Sequence, residues 1–365
     1  MLSISFAARD ALLAPFSRRG GAMATLSRTR CRACARACPR ARARARSAPL
    51  APPVRVHTRT PPSSAAADAS ALRAAAVEAA EAGASVVRAT LGAAPPRSVA
   101  FREKSGAMDI VTATDEASER AVIGALRSRL GEGVAVLGEE GGVQGAVEGA
   151  ELLWCVDPLD GTTNYAAAYP SFAVSVACLH RGVPLAAAVV EFTGGPHAWA
   201  TRTFAAARGE GATCEGHDIH CSPNGDLSKS VLVTGFGYDH GAAWAANMEH
   251  FKHFTDVSRG VRRLGSAAVD LCHVALGLVD AYWEYNLSPW DTAAGVLIAA
   301  EAGARVTTMD GGQYSVFDRS MMVAAPGVQA ALLEVTAETT RRLVEEEGVD
   351  LARWKIPEGM LLELP

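Results

Sequence analysis

The sequence lacks the signatures of several common enzyme classes. Its body contains no Cys or His pair at metal-ligand spacing, no G-x-S-x-G, no P-loop lysine motif and no G-x-G-x-x-G that opens a helix. Nucleophilic serine or cysteine catalysis therefore has no support in the sequence. No apolar run is long enough to cross a membrane or to form the core of a signal peptide, so we predict no membrane partner.

The first 67 residues lack lysine and almost lack acidic residues. They hold 13 arginines against a single acid, Asp10, and Ala, Ser and Pro fill most other positions. This composition is typical of an organelle transit peptide, so we predict a disordered targeting segment over residues 1–67. Composition alone leaves plastid and mitochondrion open. The alternative is a basic arm for nucleic acid, which the RARARAR at 40–46 would suit, but no aromatic residues are interleaved with it.

The rest of the chain has the opposite charge. Residues 68–365 carry 22 basic and 38 acidic residues, a balance of −16, which would repel a phosphate backbone, so we predict no nucleic-acid partner. Three early cysteines, Cys31, Cys34 and Cys38, would need a fourth ligand to bind zinc, and only His57 is nearby. The five later cysteines stand scattered in mostly apolar stretches and are predicted to be buried free thiols: Cys155, Cys178, Cys214, Cys221 and Cys272.

Residues 68–365 alternate between helical and strand patterns, which predicts a mixed α/β fold. A first helix is expected to begin at Asp68, capped by Asp68 or Ser70, and a second, over 114–130, to be capped by Thr114. Strands are predicted at 134–137, 152–156, 172–179, 185–192, 231–234, 279–284, 304–308 and 320–325, and further helices at 243–254, 266–276, 291–301 and 327–347. A change of pattern near residue 220 divides this body into two α/β halves, 68–220 and 221–365.

The stretch WCVDPLDGTTNY, residues 154–165, ends an apolar strand on two carboxylates. Pro158 cannot continue a strand, so we expect the chain to turn after Asp157 and to bring Asp160 back beside it. The Leu159 carbonyl would point into the same turn. Carboxylates with a carbonyl are the hard oxygen ligands that Mg²⁺ prefers, so this stretch is a candidate metal site.

The residues that follow offer a candidate anion site. Gly161 and Thr162 expose N–H groups, and a helix that started there would add its positive end. The alternative is a plain Asp-rich turn in which Asp160 caps Thr162 or Thr163.

Further acids follow predicted strands or open predicted helices. Glu139 and Glu140 follow a short strand and are flanked by glycines, although adjacent glutamates are more often a solvated turn. Asp291 is expected at the start of a helix, with Pro289 just outside it, where a plain N-cap is an equally good interpretation. Asp115 falls in the first turn of a helix, which is ordinary by itself. Taken together, these acids predict an all-oxygen metal site beside an anion-binding turn, which favours metal-assisted phosphate ester hydrolysis.

Three motifs, GEE (138–140), DPLDGTTNY (157–165) and WDTAAG (290–295), resemble the inositol monophosphatase family in order and separation. VTATD and GVRRLGSAAVDLC are also similar to segments of that family, and the likeness covers about residues 70–350. FGYDHGAAW, FTDVSRGVRRLGSAAVDLCHVALG and MDGGQYSVFDRS are most similar to the plastidial inositol-monophosphatase-like phosphatases of plants and algae. The resemblance therefore favours the plastid stroma over the mitochondrion.

The resemblance implies a layered αβαβα sandwich, a lithium-sensitive phosphatase with two or three Mg²⁺ ions per site, and a homodimer. It also implies a ligand set. Glu139, Asp157 and the Leu159 carbonyl would hold one ion. Asp157, Asp160 and Asp291 would hold a second, with Asp157 bridging the two.

The resemblance further implies catalytic and substrate-binding roles. Glu139 and Thr162 would orient the attacking water, and Asp115 would position Thr162 from behind. The residues implied to contact the substrate are Leu159, Asp160, Gly161, Thr162, Gly265, Ser266, Ala267, Glu284 and Asp291. Glu284 would accept hydroxyls of a polyol, although a strand-end acid at a domain edge explains it equally well.

The family's substrates join a phosphomonoester to a hydroxylated carbon skeleton. We therefore predict hydrolysis of myo-inositol 1-phosphate and of related polyol or sugar phosphates such as L-galactose 1-phosphate. A histidinol-phosphate phosphatase and a 3′(2′),5′-bisphosphate nucleotidase are the alternatives on the same fold. A non-catalytic regulatory relative is a further alternative, against which stands the presence of every ligand side chain together with Thr162.

Overall fold

The computed structural model describes residues 63–91, 100–106, 109–351, 353–354 and 356–363. The helices are α1 (Ser63–Leu91), α2 (Ala113–Leu130), α3 (Thr162–Ala167), α4 (Ala242–Val257), α5 (Ala267–Ala275), α6 (Pro289–Glu301) and α7 (Gln329–Glu345). The strands are β1 (Phe101–Gly106), β2 (Asp109–Thr112), β3 (Val136–Gly138), β4 (Gly142–Gln144), β5 (Leu152–Asp160), β6 (Phe172–His180), β7 (Val183–Thr193), β8 (Ala200–Ala207), β9 (Ala212–Cys214), β10 (His217–Asp218), β11 (Val231–Thr234), β12 (Gly260–Arg262), β13 (Ala281–Tyr285), β14 (Arg305–Thr307) and β15 (Ser320–Ala324). Among these residues no helix combines the length and the apolar content needed to span a membrane.

The strands form two large sheets and one hairpin. The first sheet has the order β10-β9-β8-β7-β6-β5-β3-β4 and is antiparallel except where β3 runs parallel to β5. The second sheet has the order β12-β11-β13-β15-β14, in which β11 is parallel to both of its neighbours. The hairpin is formed by β1 and β2 and leads directly into α2.

Both faces of the first sheet are covered. Side chains along β5 alternate, so Trp154 and Val156 pack with α1 and α2 while Leu153 and Cys155 pack with α5 and α6. Helices α5 and α6 also contact the second sheet, and α4 and α7 pack on its other side. The layers are thus helices, sheet, helices, sheet, helices, which confirms the predicted αβαβα sandwich.

Several element boundaries differ from the sequence prediction. Helix α1 begins at Ser63, so Asp68 and Ser70 lie inside it rather than at its start. Strands β8, β9 and β10 were not predicted; β8 has the sequence ATRTFAAA, whose alanines have low strand propensity, and it is stabilised by pairing with β7 along its whole length. The changeover between the sheets lies between β10 and β11, and the division into two halves near residue 220 stays a prediction.

The cysteines of the described residues are free thiols. Cys155, Cys178 and Cys272 are buried, whereas Cys214 and Cys221 are partly exposed. Residues 1–62, which hold the other cysteines, His57 and most of the predicted transit peptide, lie outside the described residues.

Candidate active site

Asp157 and Asp160 lie on the two sides of a β-bulge at the end of β5. Asp157 pairs with Ser175 of β6, and Asp160 pairs with Ala173. An advance of three residues along β5 therefore lies opposite an advance of two residues along β6. The extra residue bends the strand, and the Leu159 N–H donates to the Asp157 Oδ1 at 3.0 Å. The expectation that Pro158 ends the strand was wrong, because a bulge leaves one residue without a ladder hydrogen bond and so accommodates a proline.

Asp160 connects this bulge to the start of α5. Its carboxylate accepts hydrogen bonds from the Ser266 Oγ at 2.7 Å, the Ala268 N–H at 2.6 Å and the Ala267 N–H at 3.3 Å. The interpretation in which Asp160 caps its own turn was therefore wrong, since the helix end that it caps lies more than a hundred residues away in the chain. This contact places the implied substrate residues Ser266 and Ala267 directly beside Asp160.

Asp115, which is buried, and Thr162, which is partly buried, form a hydrogen-bonded pair. Thr112, not Thr114, is the N-cap of α2, and Asp115 completes a capping box by accepting the Thr112 N–H at 2.9 Å. The other oxygen, Oδ1, accepts the Thr162 hydroxyl at 2.9 Å. The same hydroxyl lies 3.1 Å from the Leu159 carbonyl oxygen, so Thr162 is held between a carboxylate and one of the implied metal ligands.

Gly161 allows this turn to form. Its φ is +88°, in the left-handed region, and a Cβ at this position would lie 2.9 Å from the Ser171 carbonyl oxygen. Helix α3 begins immediately afterwards, at Thr162.

Glu139 and Glu140 stand on a loop that a third glutamate, Glu119, holds in place. Glu119 of α2 accepts the Glu140 N–H on Oε2 and the Gly141 N–H on Oε1, both at 2.8 Å. On the outer side, the Lys104 Nζ of β1 donates to Glu139 at 2.8 Å and to Glu140 at 2.5 Å. These side chains line a cavity of about 560 Å³ next to the hairpin of β1 and β2.

Asp291 lies at the third position of α6. It accepts the Ser288 N–H at 2.7 Å in a capping box, and Pro289 is the first residue of the helix rather than a residue outside it. The capping interpretation is therefore correct for this residue.

Four of the carboxylates repel one another. Burial raises the pKa of Asp157 well above its ordinary value, and the charges of Glu139, Asp160 and Asp291 raise it further. Burial likewise raises the pKa of Asp160 to about 6, although hydrogen bonds from Ser266 and Ala268 oppose the shift. The pKa of Asp291 is also well above its ordinary value because of burial and the charges of Asp160 and Glu139. A bound cation would relieve this repulsion.

This donor set fits a hard divalent cation by its chemistry. Carboxylates and a carbonyl are the ligands of Mg²⁺, and Asp157, Leu159 and Asp160 lie on one bulge at the end of β5. No three His, Cys, Asp or Glu side chains in the described ranges already form a metal-ligand cluster. Asp160, Asp291 and Glu139 are each hydrogen-bonded to protein partners, α5, Ser288 and Lys104 respectively.

The implied polyol end of the site lies at the start of α5 and on β13. Gly265 has φ +85°, and the Asn164 Nδ2 donates to the carbonyls of Leu264 at 2.7 Å and Gly265 at 3.3 Å. Glu284 is buried, accepts the Tyr282 hydroxyl at 2.5 Å, and has a pKa raised to about 7 by burial and, to a smaller extent, by Asp160.

Sequence reasoning missed four residues that hold the site together, Ser118, Glu119, Asn164 and Tyr282. Only the first two had a usable signal: they lie three and four positions after Asp115, on the same face of α2. Asn164 and Tyr282 act through contacts that no local spacing indicates.

Comparison with known proteins identifies the family. The profile of the inositol monophosphatase family matches residues 68–345. The phosphatase IMPL1, chloroplastic, of Arabidopsis thaliana is 53% identical over 286 residues, which are 78% of this chain and 75% of that protein. The inositol-1-monophosphatase of a Synechocystis strain is 40% identical over 58% of this chain and 70% of its own.

Solved structures give the same result. The inositol monophosphatase of Anabaena superposes with a TM-score of 0.64 at 37% identity, over 74% of this chain and 97% of that chain. Mycobacterium tuberculosis SuhB superposes with a TM-score of 0.58 at 34% identity, over 74% of this chain and 97% of its own. The chain therefore belongs to the inositol monophosphatase family, whose members are phosphomonoesterases, and is a phosphoric monoester hydrolase.

Proposed function

We propose that the protein is a Mg²⁺-dependent, lithium-sensitive phosphatase that converts myo-inositol 1-phosphate, and related esters such as L-galactose 1-phosphate, into the free polyol and inorganic phosphate. The observation that carries this proposal is the group of mutually repelling carboxylates beside the Gly161–Thr162 turn. Asp157, whose burial and acidic neighbours all raise its pKa, is suited to a cation, and the adjacent N–H groups are suited to a phosphate.

The metal ligands in this proposal are Glu139, Asp157, the Leu159 carbonyl, Asp160 and Asp291, which together would hold two or three ions. Mg²⁺ bound there supplies charge neutralisation for the phosphoryl and leaving-group oxygens and a lowered pKa for a bound water. Ligation requires Glu139 to release Lys104, whose ammonium group also donates to Glu140 and can donate to water.

Thr162 and Glu139 orient the attacking water. Because the Thr162 hydroxyl donates its hydrogen to Asp115 at 2.9 Å, the lone pairs of its oxygen are left to accept a hydrogen bond from that water. Asp115 does not reach the water itself. It fixes the rotamer of Thr162, and the N–H groups of Gly161 and Thr162 bind phosphate oxygens in line with the attack.

The leaving polyol lies against Gly265, Ser266 and Ala267, and Glu284 accepts its hydroxyl groups. Glu284 suits this role because Tyr282 already occupies one of its oxygens and fixes the carboxylate. The Arabidopsis relative is named as chloroplastic. With the arginine-rich residues 1–67, this supports a stromal location for the protein, and the family resemblance supports a homodimer.

The test is phosphate release by the purified full chain, with Mg²⁺, in the presence and absence of Li⁺. The panel is myo-inositol 1-phosphate, L-galactose 1-phosphate, histidinol phosphate and 3′-phosphoadenosine 5′-phosphate, and light scattering on the same preparation measures the oligomeric state. We expect the inositol ester to be hydrolysed fastest and Li⁺ to block the reaction. A preference for histidinol phosphate or the bisphosphate nucleotide would keep the mechanism and overturn the substrate. No turnover with Mg²⁺ bound would support the non-catalytic alternative.

A further inference from the structure

We propose that Glu119, assisted by Ser118, is a positioning residue that holds the metal-binding acids in place from one turn of α2. Asp115, Ser118 and Glu119 stand at positions i, i+3 and i+4 and therefore share one face of that helix. The inference rests on the proposed function, because the residues that it positions are the proposed metal ligands.

Glu119 holds the loop that carries Glu139. Its side chain is 5% exposed, and its two oxygens accept the N–H groups of Glu140 and Gly141, each at 2.8 Å. The Glu139 N–H is bonded to the Val156 carbonyl of β5 at 3.1 Å. Three successive backbone N–H groups are thus fixed, and with them the direction in which the Glu139 side chain leaves the chain.

The glycines on either side of the two glutamates leave space for Glu119. A Cβ on Gly138 would lie 2.7 Å from the Glu119 Oε2, and a Cβ on Gly141 would lie 2.5 Å from its Oε1. Neither glycine has a backbone conformation that side chains avoid. Gly138 is therefore explained by the room that the buried Glu119 carboxylate needs, rather than by backbone strain. At Gly141 the same room is needed by Glu119 and by the Gln144 Nε2, which would lie 2.2 Å from a Cβ.

Ser118 and Asp115 extend the same face of α2 to the second acidic stretch. The Ser118 Oγ donates to the Pro158 carbonyl at 2.7 Å, inside the bulge that separates Asp157 from Asp160. Asp115 holds Thr162. One helical turn thus contacts the Glu139 loop, the Asp157 bulge and the threonine, and it sets the spacing between groups that would bind one metal centre.

The experiment is titration calorimetry of the full chain with Mg²⁺ alone, on Glu119→Gln, Glu139→Gln and the double variant. The Gln oxygen can still accept one of the two backbone N–H groups. The Gln NH₂ group would face the other N–H, and because both are donors that hydrogen bond is lost. We expect Glu119→Gln to weaken Mg²⁺ binding by about tenfold or more, and to raise the Mg²⁺ concentration for half-maximal activity while kcat at saturating Mg²⁺ stays within a few-fold. The double variant should bind Mg²⁺ no more weakly than Glu139→Gln.

The matched control is Glu116→Gln, the same substitution on the same helix. Glu116 accepts a hydrogen bond from the exposed Arg102 at 2.6 Å. We expect the Glu116→Gln variant to bind Mg²⁺ as tightly as the wild type. Gly138→Ala provides a second measurement if Glu119→Gln folds poorly. It should weaken Mg²⁺ binding in the wild type and cause no further loss in a Glu119→Ala background, where the carboxylate that it would contact is gone.

Wild-type Mg²⁺ affinity in Glu119→Gln would overturn the inference. An equal loss from Glu119→Gln in the wild type and in the Glu139→Gln background would also overturn it, because Glu119 would then act elsewhere. If Glu139→Gln itself bound Mg²⁺ as tightly as the wild type, the metal assignment would fail, and the inference with it.

Discussion

Two buried carboxylates in this molecule, Glu191 and Asp157, have opposite electrostatic surroundings. Glu191 of β7 is 2% exposed and lies 2.5 Å from the Arg202 Nε and 3.0 Å from the His273 Nε2. Burial alone would raise the pKa of Glu191, but the hydrogen bonds and charges of His273 and Arg202 outweigh it and hold that pKa below its ordinary value. This acid is neutralised within the fold.

Asp157 has the same exposure, 2%, and the opposite surroundings. Its neighbours Glu139, Asp160 and Asp291 are all acids, so charge adds to burial and its pKa rises well above the ordinary value. The comparison teaches that burial does not distinguish a structural acid from a functional one. The charges next to the acid do, because a buried carboxylate surrounded by other acids is costly unless a cation neutralises it. Lys104 donates to Glu139 and Glu140 on the outer side of this group, and the causes that raise the pKa of Asp157 are burial and its acidic neighbours.

Asp157→Asn is expected to have the largest effect. It should lower kcat by about 1,000-fold, equivalent to roughly 4 kcal/mol, because the proposed bridging ligand is lost. The thermal midpoint of the metal-free protein should stay constant or rise, since Asn still accepts the Leu159 N–H and one repelling charge is removed. Steady-state kinetics and calorimetric melting measure the two effects.

The control for this variant is Glu338→Gln, which alters an exposed acid paired with Arg341 and should change neither quantity. Turnover of Asp157→Asn within a few-fold of the wild type would refute the metal assignment.

The acids of the proposed site could be predicted from the sequence for a local reason. An acid directly after an apolar strand, or in the first turn of a helix, is visible in the sequence alone, which is how Asp115, Glu139, Asp157 and Asp291 were found. The alternation of helical and strand patterns predicted a mixed α/β fold, and the layered αβαβα arrangement was implied by the family resemblance alone.

What the sequence did not show depends on distant contacts. Asp160 caps α5 from more than a hundred residues away, and no local pattern indicates that pairing. Glu119 looks like one more solvent-facing charge in DEASERA, and its spacing from Asp115 is the one local sign that it is buried. The bulge at Pro158 was predicted as a turn because the register of β6, which defines it, lies in another part of the chain.

Glu191→Gln removes the charge that pairs with Arg202 and His273. It should change the stability of the protein rather than metal binding. The variant leaves Arg202 without its counter-charge. The expected loss is about 2 kcal/mol of unfolding free energy at pH 7, below the usual value for a buried pair because the Arg202 side chain is 28% exposed. Denaturant unfolding measures this loss, and Mg²⁺ affinity of the folded variant should be unchanged.

The stability lost in Glu191→Gln should be smaller at low pH. The pKa of Glu191 in the folded protein lies below its ordinary value of 4.5, so its stabilisation is present above pH 4.5 and is lost as the pH falls through the folded pKa. The difference between wild type and Glu191→Gln should therefore shrink below about pH 4.5. An equal denaturant midpoint for the two proteins at pH 7 would contradict the view that this pair stabilises the fold.

The smallest expected effect is the pH dependence of stabilisation by Mg²⁺. The pKa of Asp160 is raised from 3.8 to about 6, so in the metal-free protein its contribution to stability falls as the pH rises from about 4 through 6 and is at its least favourable above that. Mg²⁺ needs the deprotonated acids. Adding Mg²⁺ should therefore raise the thermal midpoint by a few degrees at pH 8 and by clearly less at pH 5.5.

The two groups of acids can be separated in this one experiment. Melting curves with Mg²⁺, or with NaCl at equal ionic strength, would be compared for wild type, Asp157→Asn and Glu191→Gln at both pH values. Glu191→Gln should melt lower throughout yet keep the full pH-dependent gain from Mg²⁺, whereas Asp157→Asn should lose most of the gain. A gain that is the same at pH 5.5 and pH 8 would mean that Mg²⁺ binds away from the raised-pKa acids. Protons and Mg²⁺ would compete at the acids whose pKa values are raised, Asp157, Asp160 and Asp291. The pH dependence of the Mg²⁺ stabilisation therefore distinguishes binding to these acids from general screening of an acidic protein.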